Sequence, residues 1–357
     1  MSMNISGYIT PNTSYGIVTL NLIKAFVDLG HSCSIFPTGD LNRINFGEYS
    51  SYVRDCILAS EEFSPNDISF RVAHQFDMAT GIGFGPRVGY TFFEVDRLTK
   101  LEVNHLNSLD LVLVPSEWAK QVCIESGVAA HVSVCPAGFD PKIFKPVHYM
   151  PKECVFLSVG KWEVRKQQDA IVEAFYSAFT KHDNVKLIMS MDNPFMDISE
   201  KKNKYKARLG SQINFIDRVA SHAHLARLMQ QSYCLVAPSL AEGWNMPLLE
   251  AMACGKFTIA TNYSGHTEFC NESTTLLIEP TSKVPAIDNM WFKENSKTNC
   301  GNWITYDIDE LTEHMRSIYR TYRNGIVLND NAINNSLDYT WENSAKRIVE
   351  KFEEICL

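Results

Sequence analysis

The run Ala241-Glu-Gly-Trp-Asn-Met-Pro-Leu-Leu-Glu-Ala-Met-Ala-Cys-Gly255 decides the fold of this chain, together with the apolar segments on either side of it. Ser232-Tyr-Cys-Leu-Val-Ala-Pro238 and Lys256-Phe-Thr-Ile-Ala-Thr261 read as buried strands. Between them Asn245 suits a helix N-cap, and Pro247 suits the first turn because its missing N–H would go unpaired there anyway. Leu248 to Cys254 favour helix until Gly255 stops it. The result is a strand-loop-helix-strand unit whose helix begins near Met246. Its loop is expected at the carboxyl edge of a parallel sheet, where open α/β folds bind ligands.

Two carboxylates frame that helix start, Glu242 in the loop and Glu250 about one turn inside. The unpaired N–H groups of Met246, Leu248 and Leu249 carry the positive end of the helix dipole and suit a phosphate or diphosphate. Carboxylates repel phosphate, so this pair is expected to accept hydrogen bonds from uncharged hydroxyls instead. A sugar on one side of a diphosphate and a ribose on the other would supply them. Two solvated glutamates on a capped helix are the competing reading, since Glu is mostly exposed; the buried strands on both sides argue against it.

Gly160-Lys-Trp-Glu-Val-Arg-Lys-Gln-Gln168 follows another apolar strand segment and sets Lys161 and Lys166 in a loop before a helix. Two cations there would neutralise the charge that grows on a diphosphate leaving group; taken alone, the segment is a solvated basic turn. Gly7 and Gly16 bracket the loop after the first strand, but the spacing is not G-x-G-x-x-G, which counts against a nicotinamide cofactor. Glu94 and Asp96, in Gly89-Tyr-Thr-Phe-Phe-Glu-Val-Asp96, lie at a strand end, placed to orient or deprotonate a hydroxyl or to serve as structural hydrogen-bond acceptors. His74 follows the preceding strand. Ser264-Gly-His-Thr-Glu268 follows the strand Phe257 to Ala260, and its backbone and Thr267 are expected to face a phosphate.

With these motifs the chain resembles the GT-B-fold glycosyltransferases of family 4, which are retaining, metal-independent and nucleotide-sugar-dependent. The resemblance covers nearly the whole chain and includes Pro115-Ser-Glu-Trp118 and Cys135-Pro-Ala-Gly-Phe-Asp140. It implies that Glu242 contacts the hydroxyls of the donor sugar and Glu250 the ribose, and that Lys161 and Lys166, rather than Arg165, face the donor phosphates. It also implies that Gly16 lets backbone approach the donor. Where the family commonly has Phe-Gly, this chain has Trp244-Asn245, which leaves the cap intact and bears on sugar choice. The donor-binding set is then Gly16, Lys161, Lys166, Trp244, Asn245, Met246, Leu248, Glu250 and Thr267. The catalytic set is Glu242, Lys161, Lys166, Glu94 and Asp96.

The 357 residues suggest two domains. Hydrophobic residues make up 45% and charged residues 21%, which excludes a disordered or highly charged chain. Ten scattered cysteines show neither zinc-ligand spacing nor a secreted framework and read as reduced thiols in a cytoplasmic protein. The histidines form no metal-like cluster, so neither a catalytic metal nor a resident cofactor is expected, with the nucleotide-diphosphate sugar as co-substrate. No signal segment or membrane-length apolar run is visible, so no integral membrane association is expected. The net charge is −8, and residues 1–150 hold ten basic against fifteen acidic side chains, which weakens the case for a polyanionic acceptor.

Strand and helix alternate from Asn4 to Cys135, Phe139 to Lys152 is proline-bearing and irregular, and a second alternating series starts at Cys154. The fold class is therefore α/β with two Rossmann-like doubly wound parallel sheets; the resemblance adds the GT-B arrangement about a central cleft and a last helix crossing back to the first domain. The expected divisions are an acceptor-binding domain over 1–139, a linker over 140–152, a donor-binding domain over 153–335 and a crossover helix over 336–357. Lys283 to Tyr306 reads as irregular. Function is expected to be transfer of a sugar, with retained configuration, to a hydroxyl on a saccharide or similar acceptor. Two alternatives stand beside it: a viral-type enzyme acting on hydroxymethylated bases in DNA, and a non-catalytic nucleotide-sugar-binding protein. Nothing in the sequence fixes the nucleotide, the sugar or the oligomeric state.

Overall fold

The structure, a computed structural model, describes residues 1–41, 44–217, 219 and 221–356. It divides into two compact units, the first formed by Met1–Gly138, Phe292–Gly301 and Tyr339–Leu357, the second by Phe139–Trp291 and Asn302–Asp338. The segment read as a linker thus falls in unit 2.

Unit 1 contains β1 (Ser2–Gly7), α1 (Ser14–Asp28), β2 (Ser32–Pro37), α2 (Ser50–Ala59), β3 (Ile68–Val72), β4 (Arg87–Tyr90), α3 (Lys100–Leu106), β5 (Leu111–Val114), α4 (Glu117–Glu125) and β6 (His131–Val134). The strands form a parallel sheet in the order β2-β1-β3-β4-β5-β6. β5 shows why the pattern is apolar without alternation: all four residues of Leu-Val-Leu-Val are fully buried because helices cover both faces. β4 is shorter than the apolar run predicts, ending at Tyr90, so Glu94 and Asp96 lie in the following loop rather than at the strand tip.

Unit 2 contains β7 (Cys154–Val159), α5 (Gln168–Ala178), β8 (Val185–Ser190), α6 (Ser199–Leu209), β9 (Ile213–Ile216), α7 (His222–Gln231), β10 (Cys234–Ala237), α8 (Met246–Ala253), β11 (Phe257–Thr261), β12 (Leu276–Ile278), β13 (Pro280–Pro285), β14 (Asn302–Tyr306), α9 (Ile308–Arg323) and α10 (Asp330–Ser336). Its parallel sheet has the order β12-β11-β10-β7-β8-β9, over a core that includes Phe156, Phe175, Leu187 and Tyr233. The stretch read as irregular holds an antiparallel ribbon, β13 with β14. Two prolines and exposed Thr, Ser and Lys hide β13 from an apolar-pattern search.

The last helix, α11 (Trp341–Cys356), belongs to unit 1. Trp341, Ala345, Ile348, Val349 and Phe352 form its buried stripe at helical spacing, and the Phe352 ring meets Phe70 at 5.3 Å and Phe26 of α1 at 6.5 Å. Its entry is fixed at Gly138, where a Cβ would lie 2.3 Å from the Trp341 nitrogen. The final helix therefore packs on the first unit.

Candidate functional site

In unit 2 the chain winds from β7 through β8 to β9 on one side, and from β10 through β11 to β12 on the other. The direction reverses between the neighbours β7 and β10, and loops at such a reversal splay apart to leave a crevice at the carboxyl edge. The loop after β7 carries Lys161, Arg165 and Lys166, and the loop after β10 carries Ser239, Glu242 and Asn245. Lys166, Glu242, Asn245 and Ser239 line one small cleft there with Ser158 and Gln168.

Glu242 is 4% exposed and fully engaged. Lys166 Nζ donates to Oε1 at 2.6 Å, Ser239 Oγ donates to the same oxygen at 2.7 Å, and the Arg165 guanidinium lies 2.8 Å from Oε2. Burial opposes the charge, but the Arg165 and Lys166 cations and the two hydrogen bonds outweigh it and hold the carboxyl well below the usual range. The backbone is pinned as well: Glu242 N–H donates to Ser264 Oγ at 2.8 Å, and Gly265 N–H donates to the Glu242 carbonyl at 2.9 Å. A Cβ on Gly265 would sit 2.2 Å from the Gly243 carbonyl oxygen, so only glycine lets the two loops meet.

Glu250, in α8, is also buried, but no hydrogen bond or ion pair reaches its carboxyl among the described residues. Burial alone raises its pKa to about 8. His266 is fully buried beside this loop, its Nε2 2.6 Å from the Thr261 carbonyl oxygen and its Nδ1 without a partner among the described residues, and burial lowers its pKa.

Helix α8 begins at Met246 as its sequence predicts, but four details in and around it differ. Asn245 occupies the cap position with a left-handed backbone (φ 76°), and its side chain makes no capping bond; it points into the protein with Nδ2 buried and unpartnered. Asn is one of the few residues that tolerate this conformation, which turns the side chain away from the helix amides. The amides of Leu248 and Leu249 both donate to the Asn245 carbonyl, at 3.1 and 3.4 Å, so they are not open to a phosphate. Trp244 is buried edge-to-face on Phe269 at 4.8 Å, which makes its ring a core anchor. Thr267 commits its hydroxyl to the Ser264 carbonyl at 2.7 Å.

Lys161 does not reach Glu242; its Nζ pairs with Glu163 Oε1 at 2.7 Å under the rings of Phe195 and Trp291. Glu163 in turn accepts from Arg165 at 3.0 Å. Arg165, set aside in the sequence in favour of its neighbours, is the buried centre of this chain of charges, and its guanidinium also donates to the Ala241 carbonyl at 2.6 Å. The parts played by Ser239, Ser264 and His266 are equally illegible in sequence, because hydroxyls and a lone His at loop positions carry no spacing signal. Among the described residues no group of three or more His, Cys, Asp and Glu side chains could hold a metal ion.

Gly16, Glu94 and Asp96 belong to unit 1. Gly16 sits in the first turn of α1, where its N–H donates to Thr13 Oγ1 at 3.2 Å and a Cβ would lie 2.0 Å from the Thr10 carbonyl oxygen, so the need for glycine is local. The sheet order reverses in this unit between β1 and β3, and residues that follow these strands meet: Tyr15, in the first turn of α1, against His74 at 4.4 Å, with Phe76 stacked on His74 at 5.0 Å. Glu94 follows β4 nearby, close enough to raise the Tyr15 pKa, although burial is the larger cause.

Residues 153–290 match the sequence model of a family described as glycosyl transferases group 1. Two curated proteins are similar over part of the chain. A phosphatidylinositol N-acetylglucosaminyltransferase subunit of Arabidopsis thaliana is 23% identical over 58% of this chain and 47% of its own length. The lipopolysaccharide 1,2-N-acetylglucosaminetransferase of Salmonella typhimurium is 25% identical over 50% of this chain and 51% of its own. The match thus spans about half the length of these relatives. Among solved structures, HepE of Anabaena in complex with UDP superposes with a TM-score of 0.73 at 16% identity, covering 99% of this chain and 100% of that one. Sucrose-phosphate synthase of Thermosynechococcus elongatus gives 0.72 at 16% identity, covering 99% of each chain. HepE has also been crystallised with UDP-glucose. These likenesses show the GT-B fold.

Proposed function

We propose that this chain, a member of the group 1 glycosyltransferases with the GT-B fold, transfers a sugar from a nucleotide-diphosphate sugar to an acceptor hydroxyl with retention of anomeric configuration. The observation that carries the proposal is the contrast between Glu242 and Glu250, separated by seven intervening residues in one buried loop and helix. Glu250 has no protein donor among the described residues, and a buried carboxyl of this kind accepts hydrogen bonds from the hydroxyls of a ribose. Glu242 is held ionised at the reversal of the sheet, where it accepts hydroxyls of the donor sugar.

Lys166 is the more exposed of the two cations beside Glu242, and with the α8 terminus at Met246 it stabilises the leaving diphosphate. Lys161 is the second cation, with Glu163 as its resting partner. The unpartnered Nδ2 of Asn245 adds a donor on the same cleft. The acceptor hydroxyl attacks the face from which the diphosphate leaves, and Glu94 and Asp96 orient the acceptor. The UDP and UDP-glucose complexes of HepE and the N-acetylglucosamine transfer named for both curated relatives favour a UDP-hexose donor, UDP-glucose or UDP-N-acetylglucosamine.

A thermal-shift screen against UDP, GDP, ADP and TDP and their common sugars tests the donor. A ligand at a hundred times its dissociation constant stabilises by about 2.7 kcal/mol, so a selective upward shift with UDP and a UDP-hexose is expected. No shift with any nucleotide would remove the proposal.

A further inference from the structure

Glu242 has two cations, and they differ in kind. Arg165 is the more buried and is fixed on three sides, by Glu163 at 3.0 Å, the Ala241 carbonyl at 2.6 Å and Glu242 at 2.8 Å. Lys166 is more exposed, and Glu242 Oε1 is the one partner described for its ammonium. A guanidinium in a rigid fork keeps its geometry, whereas an ammonium on a four-carbon stem changes partner readily.

We propose that Arg165 is the resident counter-ion of Glu242, the positioning residue that keeps this carboxylate charged when Lys166 leaves it for the donor diphosphate. The proposal rests on the donor reading above. A diphosphate arriving in the cleft competes with Glu242 for Lys166, and both partners cannot keep the ammonium at full strength. Stripped of both cations, a carboxyl as buried as Glu242 would take up a proton and become a donor, no longer a pure acceptor for sugar hydroxyls. Arg165 prevents this because its bonds to Glu163 and Ala241 hold it in place while Lys166 moves. The other groups facing Glu242 do not substitute: Ser239 Oγ is neutral, and His266 is held uncharged by burial. The paired Glu163 explains why the guanidinium is itself tolerated at this depth.

The test is calorimetric titration of the wild type, Arg165→Met and Arg165→Lys with UDP, GDP or ADP, whichever the wild type binds, at neutral pH in two buffers of different ionisation enthalpy. Arg165→Met should bind about tenfold to a hundredfold more weakly, the worth of one charged hydrogen bond, and take up about one proton more per nucleotide than the wild type. Arg165→Lys should restore most of the proton balance. A merely structural role predicts weaker binding or a lower melting temperature with unchanged proton balance, and that result overturns the proposal. So does Arg165→Met binding as tightly as the wild type. If Arg165→Met does not fold, Arg165→Gln is titrated in its place, an extra proton supporting the proposal and an unchanged proton balance overturning it. A wild type that binds no nucleotide defeats the donor reading itself.

Discussion

Glu242 and Glu250 are both buried in unit 2 and their pKa values shift in opposite directions, because two cations and a hydroxyl surround the first and no donor among the described residues reaches the second. This difference separates their roles and gives each a distinct pH signature.

For Glu250, burial raises the folded-state pKa from 4.5 to about 8. A carboxyl raised in this way contributes stability that is present below its unfolded pKa and lost as pH rises through the folded one. Glu250→Gln should therefore match the wild type near pH 4 and melt several degrees higher at pH 9. Ribose hydroxyls favour the ionised form, so nucleotide binding at pH 7 should release a proton, and affinity should climb towards pH 8 and then level. Calorimetry across pH checks both statements.

For Glu242 the sign reverses. Its depressed pKa contributes stability above the ordinary carboxylate range that is lost as pH falls through the folded value. Removing the carboxylate leaves two cations partly unpaired at a buried site, so Glu242→Ala should cost about 3–5 kcal/mol of stability as well as activity. Glu242→Gln keeps the shape, and it should lose about 10²–10⁴ in kcat with a smaller fall in melting temperature. Near-wild-type turnover in Glu242→Gln would overturn the assignment.

The two lysines should not be equivalent. Lys166→Met should lower kcat by about 10²–10³ while the fold survives on the Arg165 pair. Lys161→Met removes a cation a third exposed and committed to Glu163, so its loss should be at least tenfold smaller. Steady-state kinetics of both variants with one donor decides the order.

Glu94 and Asp96 belong to unit 1, apart in sequence from every donor-binding residue proposed in unit 2. Glu94→Gln should raise the acceptor KM or lower kcat by about 10²-fold while nucleotide affinity stays unchanged. A parallel loss of nucleotide affinity would place Glu94 in the donor site.

The last helix is secured by apolar contact. Phe352→Ala removes a ring buried against Phe70 and Phe26 and should destabilise by about 3–5 kcal/mol. Gly138→Ala forces a Cβ onto the Trp341 backbone and should destabilise the same docking. Thermal unfolding followed by calorimetry reads both.

The sequence by itself determined the alternation of strand and helix, the parallel sheets, the start of α8 at Met246 and the stripe of α11. These follow from local periodicity and from the residues that start and stop helices, which act over a few positions of chain. It also supplied the two glutamates and Lys166, because carboxylates and cations beside a helix start are unusual enough to notice. Only the tertiary structure decided which loops meet. The sheet order, with β7 beside β10, brings Lys166 onto Glu242 across 76 residues of chain, with Arg165 beside it. Lys161 instead pairs with Glu163 inside its own loop, and Glu250 meets no donor among the described residues. Asn245 and Trp244 show the limit most plainly: a capping residue and an aromatic at a loop look like ligand contacts in sequence. The backbone angle of one and the Phe269 ring against the other are set by neighbours that local pattern does not record.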